Sequence, residues 1–111
     1  MNRLLLLSYI LLLFANANAQ KLYSVEYQNQ ADVKVFVVDY ANQADLHVYK
    51  LEYQNQASKN DGKWFFVEYP NQADKKVYFT DYANQSDVNI FFVEYPSQAK
   101  WVKKEKQHFF Y

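Results

Sequence analysis

VDYANQADLHVY, residues 38–49, is the stretch on which the fold turns, because the chain says nearly the same thing six times. Aligned on the tyrosine of a [DE]-Y-x-[NS]-Q-[AS] core, the copies fall at Tyr27, Tyr40, Tyr53, Tyr69, Tyr82 and Tyr95, with spacings of 13, 13, 16, 13 and 13 residues. A constant period marks one supersecondary unit copied in tandem, each copy burying a face against its neighbours. A longer period lies above the first. Units two and five read Asp-Tyr-Ala (Asp39, Asp81), whereas their flanks read Glu-Tyr-Gln or Glu-Tyr-Pro, so each unit matches the one 42 residues later. The third unit of each triplet lacks the turn aspartate, with Ser58 and Lys100 where the others have Asp32, Asp45, Asp74 and Asp87. The chain is a duplicated triplet, about 22–58 and 62–101, divided by the insert KNDG at 59–62.

Between the cores, segments of about eight residues alternate in character and are rich in β-branched and aromatic residues: 33–40, 46–53, 62–69, 75–82 and 88–95, with 21–27 before them. Period two with that composition predicts strands. The x-N-Q-A segment, with Pro70 and Pro96 at its first position, is turn chemistry. Tight turns between similar strands predict an all-β fold: an antiparallel meander of six or seven short strands, closed into a small barrel or bent into a two-layer sheet with pseudo-twofold duplication. The last stretch, 107–111, is a candidate seventh strand. A four-residue turn keeps one alternating face on the same side throughout and sets Tyr23 opposite Phe36 and Phe36 opposite Tyr49 in an aromatic ladder. That face, carrying the tyrosines and Val25, Val38, Leu51, Val67, Thr80 and Val93, is expected to be the core. The other face carries an apolar row (Leu22, Val35, Val48, Trp64, Val77, Ile90) and a variable row (Ser24, Val37, Lys50, Phe66, Phe79, Phe92).

The repeats VVDYANQADLHVY (37–49) and FTDYANQSDVNIF (79–91) resemble the tandem VDYxNQAD repeat of a family of small, mostly bacterial exported proteins of unknown function. The resemblance covers roughly 22–101 and implies a compact all-β repeat protein. It supplies no functional residues. Ser86, Ser97, Ser58 and Lys100 depart from the pattern.

Export is also written in the first nineteen residues, MNRLLLLSYILLLFANANA: one cation at Arg3, an apolar run, and small residues ending Ala17-Asn18-Ala19. This is the pattern of a signal peptide with an A-x-A cleavage site, and the apolar run is too short for a bilayer span. The expected mature chain is a single β-repeat domain, 20–111, secreted or periplasmic, with no membrane span after cleavage. No cysteine occurs, so stability must come from packing alone. Twelve basic residues balance twelve acidic ones, which gives a nucleic acid no basic stripe to bind.

The chemistry-bearing residues point away from catalysis. His47 and His108 cannot make a metal triad without cysteine, and His47 occupies a strand position held elsewhere by Lys34, Lys63, Lys76 or Asn89. Asp32, Asp45, Asp74 and Asp87 offer oxygen ligands, but each turn has only one, where calcium loops cluster several; capping of the turn and salt bridges to lysine are expected instead. Recurrence of carboxylates at one structural position argues against a glycosidase pair, which is asymmetric. No cofactor is implied. Aromatic content, twenty per cent, is the outlier, and Trp64, Phe66, Phe79, Phe92 and Trp101 form the candidate binding surface, for sugars or a protein. The reading that results is an exported, non-enzymatic binding or structural module at the cell envelope or outside the cell, its partner a protein or glycan, homo-oligomerisation left open. A self-assembling matrix or fibril component is the alternative, and a small hydrolase a distant third.

Overall fold

A computed structural model describes residues 20–111 apart from Ser58, so the signal-peptide reading of 1–19 lies outside the described residues. Among the described residues seven strands form: β1 (Lys21–Ser24), β2 (Val33–Val37), β3 (Leu46–Lys50), β4 (Lys63–Phe66), β5 (Lys75–Phe79), β6 (Val88–Phe92) and a two-residue β7 (Lys100–Trp101). The first six close into a barrel in the ring order β1-β5-β2-β6-β3-β4, and every pair around that ring is parallel. The expected antiparallel meander is therefore overturned, although the fold is all-β and every barrel strand turns the same alternating face inward. Only β7 runs antiparallel, on β3. The segment 107–111 is not a seventh strand; a 3-10 helix spans Lys104–Phe110.

Consecutive units are not neighbours, and that is how parallel strands manage with such short connections. Parallel strands ordinarily need a crossover of a dozen residues or more, because the chain must travel back along the strand before it can pair again. Here each strand is staggered by two residues from the next around the ring: Val33 pairs with Val77, whose counterpart in β2 is Val35. The stagger removes the return journey. The backbone leaves β1 with Val25 N–H donating to Val77 O and lands before β2 with Asp32 N–H donating to Lys76 O, adjacent residues of β5, the strand between them. The segment 25–32 is thus a belt over the outside of one strand, a reach of about two strand spacings, or roughly 10 Å. The segment 38–45 crosses β6 in the same way, 67–74 crosses β1 and 80–87 crosses β2, while 93–100 crosses β3. Each belt holds a one-turn 3-10 helix, and four of these helices pack on the strand beneath them.

The duplicated triplet acquires a physical meaning. A unit advances two slots of a six-slot ring, so a third identical step would drop β4 onto β1. The step from β3 to β4 advances only one slot, and the insert lies there. The second triplet consequently falls into the gaps left by the first, and the belts of each triplet cross the strands of the other. The extra residues also displace the turn aspartate: Asp61, thirteen residues before Asp74, is the third unit's counterpart. It accepts a hydrogen bond from Lys63 N–H at the head of its own strand, rather than from a neighbour.

Inside the barrel lie Leu22, Val35, Val48, Trp64, Val77 and Ile90, all fully buried, with Val33, Leu46 and Val88 toward the strand starts. The core is therefore the apolar row, and the tyrosine face is the outside, contrary to expectation. The proposed ladder does not form either, since Tyr23 pairs with Lys76 and Phe36 with Asn89. Outward residues at the strand middles, Tyr23, Phe36, Tyr49, Phe65, Tyr78 and Phe91, are half-buried.

Candidate binding surface

The recurring motif divides its labour residue by residue. Val25, Val38, Val67 and Thr80 are buried as anchors of their belts. The next two residues, the acid and the tyrosine, then turn to solvent. Gln30, Gln56 and Gln98 send Oε1 back to accept from the N–H of Tyr27, Tyr53 and Tyr95 at 3.2–3.3 Å, closing the 3-10 turn. In the fifth unit Thr80 Oγ1 accepts from Tyr82 N–H instead. At the far end the turn aspartate grips the strand just crossed: its N–H donates to a backbone carbonyl and its carboxylate accepts from the N–H of the same residue. Asp32 holds Lys76 in this way, Asp45 holds Asn89, Asp74 holds Lys21 and Asp87 holds Lys34, with carboxylate distances of 2.8–2.9 Å. These carboxylates extend the ladder by one rung, which is why the repeat needs an aspartate there.

The six motif tyrosines remain 60–67 % exposed at equivalent places on the belts, each beside an exposed carboxylate: Glu26, Asp39, Glu52, Glu68, Asp81 and Glu94. Sequence reasoning missed this set by assigning the tyrosines to the core. The signal was present in the opposite face, where no charge interrupts the row from Leu22 to Ile90, while lysines at 21, 34, 63 and 76 share the tyrosines' parity.

Grooves run beneath the belts, and three of them are copies. The largest, 480 Å³, lies between the sixth and second belts, against Phe91, Val93, Glu94 and Gln98, with His47 and Ala41 opposite. A second, 460 Å³, has the counterparts Tyr23, Val25, Glu26 and Gln30, with Lys76 and Pro70 opposite. A third, 260 Å³, has Phe65, Val67, Glu68 and Gln72, with Gln54 opposite. His47 lies half-buried on the outer face, donates from Nε2 to Ala41 O at 3.0 Å and meets the Phe91 ring edge-on. Among the described residues no group of three His, Cys, Asp or Glu side chains converges as a metal site.

The sequence-predicted surface is divided by depth. Trp64 is fully buried and Trp101 nearly so, both against Phe110. Among the described residues Trp64 Nε1 has no hydrogen-bond partner. Phe66, Phe79 and Phe92 face inward at the strand ends and are half-buried against the core, with the Lys50 ammonium 4.8 Å from the Phe92 ring centroid and 5.7 Å from that of Phe66. Structure brings these three rings and Lys50 together at one mouth of the barrel and places both tryptophans inside it.

The opposite mouth is sealed by residues that do not repeat. Phe110 plugs the interior, and Gln20 Nε2 donates to its carbonyl oxygen at 3.3 Å. Asn60, from the insert, accepts from Trp101 Nε1 and exchanges hydrogen bonds with Gln107. Asp45 is buried; beyond Asn89 N–H its carboxylate meets Lys106 Nζ at 3.0 Å and Lys103 Nζ at 3.4 Å. Burial pushes its pKa up, but the hydrogen bonds from Asn89 and Lys106 and the two lysine charges outweigh this and hold it below the ordinary value. β7 fills the lower part of the β3–β4 seam, where β4 begins too late to pair with Leu46 and His47.

A family model described as a 7(1) septoil knot domain matches residues 19–102, and the chain belongs to that family. Five belts, each crossing a strand of the other triplet, give this chain its interleaved path. No match appears among curated proteins or among solved structures. Among the described residues no helix is long and apolar enough to cross a membrane.

Proposed function

We propose that this member of the septoil knot family is an exported, non-enzymatic binding module that engages a protein or glycan at the cell envelope or outside the cell through its belts. The observation that carries the reading is the set of six exposed tyrosines. Their rings contribute little to the core, and large amphipathic rings on an ordered backbone supply contact area at small entropy cost. Six copies on one rigid barrel also make the surface multivalent, so weak individual contacts combine. Export rests on the pattern of residues 1–19 and on the resemblance of the VDYANQAD repeats to exported proteins. Closure of the barrel supports binding over fibril formation, because a closed ring has no free strand edges to template stacking.

The test replaces Tyr69, Tyr82 and Tyr95 together by Ser and measures retention on immobilised envelope material from the source organism. Retention should fall strongly while the melting temperature stays within a few degrees; undiminished retention would overturn the reading. Amino-terminal sequencing of the exported protein should begin at Gln20.

A further inference from the structure

The three copied grooves have a more specific chemistry than the tyrosines alone. Each sets one glutamate and one glutamine beside an apolar floor, an aromatic ring with a valine; Lys100 and His47 also line the first groove and Lys76 the second, while the third holds no cation. Among the described residues Glu26, Glu68 and Glu94 enter no ion pair. In two grooves the glutamine oxygen is occupied by a belt N–H, which fixes the amide and leaves its nitrogen to donate outward. An acceptor and a donor held side by side match a hydroxyl, which both gives and takes a hydrogen bond; a phosphate needs donors only and an ammonium acceptors only. The floor matches the C–H face of a sugar ring. One lysine against one glutamate in two grooves, and a glutamate alone in the third, leaves no groove with the net positive charge that would hold an acidic chain, and balanced net charge provides no long-range attraction for one.

We infer that these three grooves are repeated subsites for the rings of a neutral polysaccharide. This assignment rests on the binding-module reading and names its ligand class. The grooves are open to solvent, so a single ring is held weakly. Three copies on one barrel raise the effective concentration of a second ring once the first is bound, which selects polymer over monosaccharide.

The experiment titrates ¹⁵N-labelled protein with cellohexaose, maltohexaose, laminarihexaose and chitohexaose, with polygalacturonate as the anionic comparison. At least one neutral hexamer should shift the amides of Glu26, Gln30, Glu68, Gln72, Glu94 and Gln98 at millimolar concentration or below, and polygalacturonate should not. Replacing Glu26, Glu68 and Glu94 together by Ala should weaken binding by about tenfold or more, with an unchanged circular dichroism spectrum. Silence of the grooves toward all four hexamers, or tighter binding of polygalacturonate, would overturn the assignment. If the grooves are silent yet the tyrosine variant still loses envelope retention, the ligand class fails and the binding module stands; if retention is also unaffected, both fail.

Discussion

The two mouths of the barrel are built on opposite principles. At the strand ends where Lys50 lies over Phe66 and Phe92, the wall comes from the repeat itself: one residue from each unit, half-buried or exposed, with neighbouring belts carrying their tyrosines to solvent. At the strand starts the wall comes from residues that occur once. Gln20, Asp45, Asn60, Trp101 and Phe110 are buried there and joined by hydrogen bonds across the insert, the seam and the tail. A tandem repeat supplies equivalent surfaces but cannot finish itself, because a ring wound twice must somewhere break register and stop. The repeated mouth keeps the character of the units that build it, and the unrepeated one carries the closure.

The sharpest way to break this contrast is to hollow the sealed end. Trp64→Ala removes the largest fully buried side chain and the contact surface of Phe110. A loss of about 3–5 kcal/mol is expected, enough to lower the melting temperature by roughly 15 °C or more. A smaller loss would mean that the tail collapses into the space and that the plug is not a fixed part of the barrel.

Gly62→Ala comes next. Gly62 immediately precedes β4 at the seam with φ of +91°, and a Cβ there would lie 2.5 Å from the His47 carbonyl oxygen. Left-handed strain of about 1–2 kcal/mol adds to a clash with backbone that cannot swing aside. Urea denaturation should show the loss at unchanged m-value. The only glycine of the chain is thus placed by the break in register, not by the repeat.

Asp45→Asn tests the clasp between the barrel and its tail. The variant keeps the shape but loses the charge-assisted bonds to Lys103 and Lys106, at a cost of about 1–3 kcal/mol at neutral pH. Because the folded pKa lies below the unfolded one, the wild-type contribution is complete above the ordinary aspartate value of 3.8 and is lost as pH falls through the lower folded value. The difference between wild type and variant in a melting series should therefore be constant near neutrality and shrink in acid below about pH 4. A difference that persists at the acid end would show that the carboxylate's charge is not the source of the effect.

The smallest effect belongs to the belts. Tyr27→Ser, or the same change at any one of the other five motif tyrosines, should alter stability by less than about 0.5 kcal/mol, since the ring is exposed. A larger loss measured by calorimetry would give the tyrosines a packing role and weaken the distinction between the mouths.

Much of this was legible in the residues, and the errors have identifiable causes. Valine, phenylalanine and tyrosine at period two mark strands, Asn-Gln-Ala marks the turns, and the spacing of 16 between Tyr53 and Tyr69 marks the interruption. Which face was buried hinged on weighing the tyrosine row against Leu22, Val35, Val48, Trp64, Val77 and Ile90, and uniformity outweighed ring size. Of the residues first singled out, Phe66, Phe79 and Phe92 share a mouth, whereas Trp64 and Trp101 went to packing. Strand direction departs from the expectation because sequence neighbours usually pair. That tendency fails here because each short segment can bridge over a foreign strand, something visible only once Val77 and Lys76 are seen to hold the two ends of one belt.

Local chemistry alone therefore determined the modules: the strands, the bends, the six-fold recurrence and the odd step in its middle, all of which depend on contacts within a dozen residues. Ring order, parallel direction and the second winding were decided by tertiary structure, because the partners that settle them lie 44 or 53 residues apart. No window of the sequence contains both halves of such a pair.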